Sequence, residues 1–109
     1  MIYIASPYSD PSAMVREARF RAVCRHAAEM MRKGEHVFSP IAHCHPLAEH
    51  GLPGDWAFWC EYDRAMLSRC TRLVVLKLPG WDKSDGVKAE IEIAREVGLP
   101  VDYQEGHAA

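Results

Sequence analysis

Two acidic residues lie where a surface charge is not expected. Helical spacing places Glu90 on a stripe that is otherwise apolar and consists of Val87, Ile91, Ala94 and Val97. The neighbouring Glu92 has basic residues four positions before it and three after it, whereas Glu90 has none at those offsets. A carboxylate that faces a protein interior without a cation costs stability, and such groups concentrate at sites of chemistry.

Asp63 repeats this pattern on the preceding predicted helix. It lies four residues from both Trp59 and Leu67, within an apolar stripe, and it has no cation at those offsets. Either acid alone is more simply explained as a buried residue paired with a distant arginine, or as one at the edge of its stripe that reaches water. Two such acids in one chain favour a site where a carboxylate does chemistry, for example as a nucleophile.

The helix that carries Glu90 begins beside residues that suit an anion. Ser84 or Asp85 is the expected N-cap, and Gly86 permits a ligand to approach the free backbone N–H groups of the helix start. We expect Glu90 in the first turn, where the helix dipole would favour an ionised carboxylate. The residues three positions after the two possible caps are not acidic, so a capping box does not explain Glu90.

The elements that must position these residues alternate along the chain. Apolar runs at 2–5 and 73–78 predict buried strands, with further short strands at 36–39 and 100–103 and helices between them. We expect Asp10 to be the N-cap of the first helix. The 109 residues, 49% of them hydrophobic, suit one domain, residues 1–109. The predicted fold is α/β: three α/β/α layers, flavodoxin-like or Rossmann-like, with about four parallel strands.

In such folds ligands bind outside the carboxyl ends of the strands, so the loops after residues 5, 39 and 78 are expected to line the site. Ser6 and Tyr8 belong to the first of these loops. His43, in a predicted polar loop after the second strand, is a candidate to orient a substrate or to protonate a leaving group, or it holds its own loop by hydrogen bonds. Trp56, at the start of the second helix, is a candidate to face the pocket.

Composition and spacing exclude several classes of function. His43, Cys44, His45 and His50 suggest a metal, but they lack the regular spacing and the acidic or cysteine partner of a zinc site, so we expect no metal and no other cofactor. The net charge is −2 without a basic run, which argues against nucleic acid. No apolar stretch is long enough to span a membrane, and we expect a cytoplasmic protein. A sheet this small leaves helix surface uncovered, with Phe20 and Trp81 as candidates, so we expect a homo-oligomer, a dimer or a tetramer.

Three segments of the chain resemble the nucleoside 2-deoxyribosyltransferase superfamily. They are the N-terminal run 2–7, the aspartate at position 63 before the valine-rich strand, and residues 85–94. The segment 39–43 is also similar to a small bacterial and phage branch of that superfamily, a domain of unknown function.

The resemblance implies a role for each acid. Glu90 would be the nucleophile that attacks the anomeric carbon of a nucleoside or nucleoside 5′-monophosphate and forms a glycosyl ester, which water or another base resolves. Asp63 would contact the sugar and the departing base, and the loop with Ser6 and Tyr8 would bind sugar or phosphate. Transferases of the superfamily usually carry an aspartate at the place of Ser84, whereas relatives that hydrolyse nucleotides carry a serine, which favours a nucleotide.

Two other functions are compatible with these residues. The chain is alternatively a module that senses a nucleotide and does no chemistry, or a glycosidase that cleaves a dinucleotide such as NAD. Trp56 would stack on a base in each case. Analysis of the products formed from nucleosides, nucleotides and NAD separates the three.

Overall fold

The computed structural model describes residues 1–106, including every side chain except that of Trp56. Its strands are β1 (Ile2–Ala5), β2 (Val37–Phe38), β3 (Arg72–Lys77) and β4 (Val101–Glu105). Its helices are α1 (Ala13–Arg32), α2 (Pro40–Ala48), α3 (Trp56–Leu67) and α4 (Asp85–Glu96), with a short 3₁₀ helix, Trp81–Lys83, before α4. Within this range the strands form one parallel sheet in the order β2, β1, β3, β4. The prediction of a three-layer α/β/α fold with a four-stranded parallel sheet is confirmed.

The two central strands are buried on both faces of the sheet. Successive side chains of β1 and β3 point to opposite faces, as the pleat of a strand requires. One face packs against α3 and α4 and the other against α1; the first cluster includes Tyr3, Leu73, Val75, Leu67 and Val87, and the second Ile4, Val74, Leu76, Val23 and Met30. Each fully buried aliphatic side chain contributes about 1.5–3 kcal/mol, so the centre of the sheet is the most firmly held part of the fold.

The strand order creates a natural binding crevice. β1 pairs with β2 on one side and with β3 on the other, so the chain moves outward after β1 and crosses back over the sheet after β2. The connections that leave the carboxyl ends of β1 and β3 therefore run in opposite directions. A crevice opens between them, and this is where open α/β sheets bind ligands.

Helix α1 begins later than predicted. Ser12 is its N-cap, and the Ser12 Oγ accepts a hydrogen bond from the N–H of Val15 at 3.4 Å. The predicted cap, Asp10, instead accepts the N–H of Ser12 at 2.9 Å through its carboxylate. Asp10 thus shapes the turn that leads into the helix, and Pro11 precedes the helix rather than opening it.

Residues 40–48, predicted as a polar loop, form helix α2. The Ser39 Oγ accepts the N–H of Ala42 at 3.1 Å, and Pro40 occupies the first position, where its missing N–H costs nothing. Pro46 lies inside the helix, which ends two residues later. Because the segment is a helix, the position of each histidine around the helix axis determines whether it can reach the crevice.

The apolar residues proposed as uncovered surface have partners within the chain. Phe20 stacks on His45 with ring centroids 4.2 Å apart, and Trp81 packs on Tyr103 with centroids 5.7 Å apart. Oligomerisation stays a prediction. In the described part of the chain, none of the helices has both the length and the apolar character needed to cross a membrane.

Candidate active site

A cavity of about 790 Å³ opens at the carboxyl ends of the first three strands. Seven of the nine residues predicted for a site line it: Ser6, Tyr8, Asp63, Ser84, Asp85, Gly86 and Glu90. Small-molecule sites in proteins commonly measure roughly 300–1,000 Å³. The cavity is therefore large enough for a nucleoside or a nucleotide.

Both predicted acids are buried and meet at a tyrosine. Glu90 is 5% exposed and Asp63 is 9% exposed, whereas Glu92 is exposed. The Tyr3 hydroxyl donates a hydrogen bond to Glu90 Oε2 at 2.5 Å, and it also interacts with Asp63. Among residues 1–106 neither acid forms an ion pair. The partner of the two carboxyl groups is a phenol and not the distant arginine of the simpler interpretation.

Burial makes the two carboxyl groups hold protons more tightly than usual. It raises the pKa of Asp63 to about 6, although the hydrogen bond from Tyr3 lowers that pKa in part. It raises the pKa of Glu90 well above its ordinary value, and the negative charge of Asp63 raises it further. Burial and the two acids also raise the pKa of Tyr3, so the phenol keeps its proton. Of the two carboxyl groups, Glu90 therefore holds its proton more tightly, and Asp63 loses its proton first as the pH rises.

The helix dipole does not set the charge of Glu90 as predicted. Ser84 is the N-cap of α4, with its Oγ accepting the N–H of Val87 at 3.2 Å, so Glu90 is the sixth residue counted from Asp85. That position is beyond the first turn, where the dipole acts. The placement of Glu90 in the first turn is wrong, and burial shifts its pKa upward, opposite to the direction expected from the dipole.

Two residues predicted for the site, His43 and Trp56, are not among the described residues that line the cavity. His43 is exposed and does not line it; the ring is parallel to that of Tyr62, with centroids 6.3 Å apart. The side chain of Trp56 lies outside the described part of the structure. Among the described residues, no group of three His, Cys, Asp or Glu side chains is arranged to hold a metal ion.

The cavity instead receives His45, a residue that sequence reasoning did not place there. The face of α2 toward the cavity carries residues at steps of three and four: Ile41, Cys44, His45 and Ala48. His45 Nδ1 lies 2.6 Å from the Tyr8 hydroxyl, and its Nε2 lies 2.8 Å from a Glu17 carboxylate oxygen. Recognition of residues 40–48 as a helix would have revealed this face.

A buried serine and two cations complete the lining. Ser6 is 5% exposed, and its Oγ is one of the buried polar atoms without a hydrogen-bond partner in the described part of the chain. Leaving such a group unpaired costs about 1–3 kcal/mol, so a hydroxyl in this state at a cavity wall suits a ligand contact. Arg16 and Lys83 also line the cavity and supply positive charge.

The sequence matches a family model over residues 1–105, described as a domain of unknown function, DUF1937. The chain belongs to the DUF1937 family. The match covers the whole sheet and every residue that lines the cavity, so the DUF1937 domain and the candidate site coincide. A search of curated proteins gives no match.

Replacement of Tyr3 by phenylalanine should destabilise this DUF1937 domain by about 1–3 kcal/mol, since the buried Glu90 loses its donor. The pKa of Glu90 should also rise further, because the hydrogen bond from Tyr3 lowers it. Urea denaturation measures the first effect, and carboxyl ¹³C NMR titration measures the second. Tyr103→Phe, at a side chain that is 46% exposed, is the matched control. An equal effect of both replacements would contradict the role of the Tyr3 hydroxyl.

Proposed function

We propose that this chain cleaves the N-glycosidic bond of a nucleoside or nucleoside 5′-monophosphate through a covalent ester between the sugar and Glu90. The observation that carries the proposal is the pair of buried acids, Glu90 and Asp63, joined by one phenol at the wall of a ligand-sized cavity. Paired carboxyl groups of this kind suit glycosidic cleavage, in which one attacks the sugar and the other handles the proton of the leaving group.

The proton held by the pair has a defined place in the reaction. A carboxylate attacks only when it is ionised, so Glu90 must lose its proton before it can act as a nucleophile. Asp63 is the natural acceptor, because the Tyr3 hydroxyl contacts both carboxyl groups. The transfer yields an ionised Glu90 and a neutral Asp63, which are the nucleophile and the general acid that the reaction needs.

The proposed reaction then proceeds in two steps. An oxygen of Glu90 forms a bond to the anomeric carbon while the bond from that carbon to the base nitrogen breaks, and Asp63 donates its proton to the departing base. In the second step the ionised Asp63 accepts a proton from water or from an incoming base as that group attacks the ester. Glu90 leaves as a carboxylate, and the pair again holds one proton when the product departs.

The start of α4 suits an anion, which supports a nucleotide as the substrate. Ser84 caps α4, and the helix start presents the backbone N–H groups of Asp85 and Gly86 to the cavity. Lys83, directly before the cap, and Arg16 also line the cavity and carry positive charge. A 5′-phosphate at this end would place its sugar deeper in the cavity.

Replacement of Ser84 by alanine tests this placement. The variant should lose about 1 kcal/mol of stability through the lost cap, and it should lose base release from a nucleotide by roughly tenfold more than from the matching nucleoside. Ser12→Ala is the matched control, since it removes the cap of α1 and does not line the cavity. An equal preference for the nucleotide in both variants would argue against a phosphate contact.

The decisive experiment is product analysis on a panel of nucleosides, nucleoside 5′-monophosphates and NAD, with chromatography of the released base. Release from a nucleoside or nucleotide, together with a protein mass raised by that of the sugar unit, supports the proposal. Tight binding in calorimetry without release in long incubations favours a nucleotide sensor. That alternative draws on the raised pKa of Glu90, since a carboxyl group that keeps its proton can donate a hydrogen bond to a ligand.

A further inference from the structure

A chain of three side chains runs from the surface to the cavity. Glu17 on α1 is 43% exposed, His45 on α2 is 14% exposed, and Tyr8 lines the cavity wall. The Phe20 ring stacks on the imidazole with centroids 4.2 Å apart, and the Tyr8 ring meets it edge-on with centroids 5.5 Å apart. The imidazole is therefore held in one plane between two hydrogen-bond partners.

The direction of each hydrogen bond follows from the acid at the surface end. An ionised carboxylate only accepts, so the nitrogen of His45 that faces Glu17, Nε2, must carry a hydrogen. In a neutral imidazole the other nitrogen, Nδ1, then has a lone pair and no hydrogen. With the imidazole neutral, the Tyr8 hydroxyl therefore donates its proton to Nδ1 across the 2.6 Å contact.

In this arrangement the single hydroxyl proton of Tyr8 is already used in the hydrogen bond to His45. The phenol oxygen can then only accept further hydrogen bonds, and Tyr8 is among the residues that line the cavity. Arg16, which also lines the cavity and interacts with Tyr8, is a pure donor, so it takes up one lone pair of the phenol oxygen and leaves the other for a ligand. A ligand acceptor at this point would face an oxygen with no hydrogen to offer, whereas a ligand donor would be satisfied.

We propose that Glu17 and His45 fix the Tyr8 oxygen as a hydrogen-bond acceptor, and that Tyr8 thereby selects ligands with an O–H or N–H donor at that point. For a nucleoside or nucleotide, the donor is a sugar hydroxyl or an exocyclic amino group of the base. The inference rests on the ligand class of the proposed function and does not depend on cleavage. Sites that accept from a ligand donor discriminate strongly against analogues without it, since the site is then left unpaired.

The first test needs no ligand. At alkaline pH, where imidazole is neutral, the side-chain ¹⁵N shifts of His45 should report the Nε2–H form. Glu17→Gln should weaken this preference, because an amide both donates and accepts, whereas Tyr8→Phe should keep it. A dominant Nδ1–H form in the unaltered protein would overturn the proposal, since Tyr8 would then be free to donate.

The second test measures selection itself. Calorimetry on a Glu90→Gln background, which binds without turnover, compares adenosine 5′-monophosphate with its analogue lacking the amino group and with its 2′,3′-dideoxy analogue. Loss of one of these donors should weaken binding roughly tenfold or more, and Tyr8→Phe should abolish that difference while Tyr103→Phe keeps it. The two analogues distinguish the base from the sugar as the source of the donor.

Each outcome separates the two proposals. A difference between the probes that persists in Tyr8→Phe overturns selection by Tyr8, and so does the absence of binding by every probe. Normal binding and normal selection without base release from the unaltered protein overturn the proposed cleavage alone.

Discussion

Glu90→Gln is expected to lower base release by roughly 10³-fold or more. The amide has the shape of the acid and still accepts the hydrogen bond from Tyr3, but it cannot form the glycosyl ester. Burial raises the pKa of Glu90, so removal of this ionisable group should leave the domain as stable as before or more stable. Single-turnover chromatography of the released base measures the first effect, and urea denaturation measures the second.

Glu92→Gln provides the matched control for this prediction. It makes the same chemical change two residues away on the same helix, at an exposed position that does not line the cavity. It should release base at the unaltered rate. Equal turnover in the Glu90 and Glu92 variants would rule out Glu90 as the nucleophile. A gain of the sugar mass by the Glu90→Gln protein would rule it out as well.

Asp63→Asn is expected to remove a pH-dependent loss of stability. Burial raises the pKa of Asp63 from 3.8 to about 6 in the folded protein. A raised folded pKa means that the free energy of unfolding is highest below the unfolded pKa and falls as pH rises through the folded one. A shift of this size corresponds to roughly 3 kcal/mol lost between about pH 4 and pH 7. The free energy of unfolding of the variant should change less with pH over this interval, and the variant should be more stable than the unaltered protein at neutral pH.

Urea denaturation at a series of pH values checks this prediction, with Asp82→Asn as the control at an exposed acid. The free energy of unfolding of the control should depend on pH as that of the unaltered protein does. The same pH dependence in Asp63→Asn would contradict the prediction that burial of Asp63 causes the loss of stability. The same variant lacks the general acid, so its base release should fall most for bases that leave poorly without a proton and least for those that leave readily.

The parts of the fold and site with a strong local pattern were predictable from the sequence. The continuous apolar run of β3 and the amphipathic spacing of α4 locate those elements. Helical spacing also correctly turns Glu90 on α4 and Asp63 on α3 inward. Tyr3 was read only as part of an apolar strand. Its chemical role depends on a partner 87 positions away in the chain, which no local pattern contains.

Helix α2 shows why a second part of the site was missed. Ser39 followed by Pro40 is a recognisable helix start, but Pro46 argues against a helix, and the two signals conflict within nine residues. Read as a loop, the segment offered His43 as the residue nearest the strand. Folded as a helix, it turns His45 toward the cavity and leaves His43 at the surface.

The position of Tyr3 has a consequence for how this domain can diversify. Its side chain is fully buried at the centre of the sheet, so a change there disturbs the packing of the whole domain. Many of the other polar residues at the cavity lie on the loop at residues 6–10 and at residues 83–86. Laboratory evolution toward a new substrate should therefore accumulate its accepted substitutions in those two segments, while Tyr3, Asp63 and Glu90 stay unchanged.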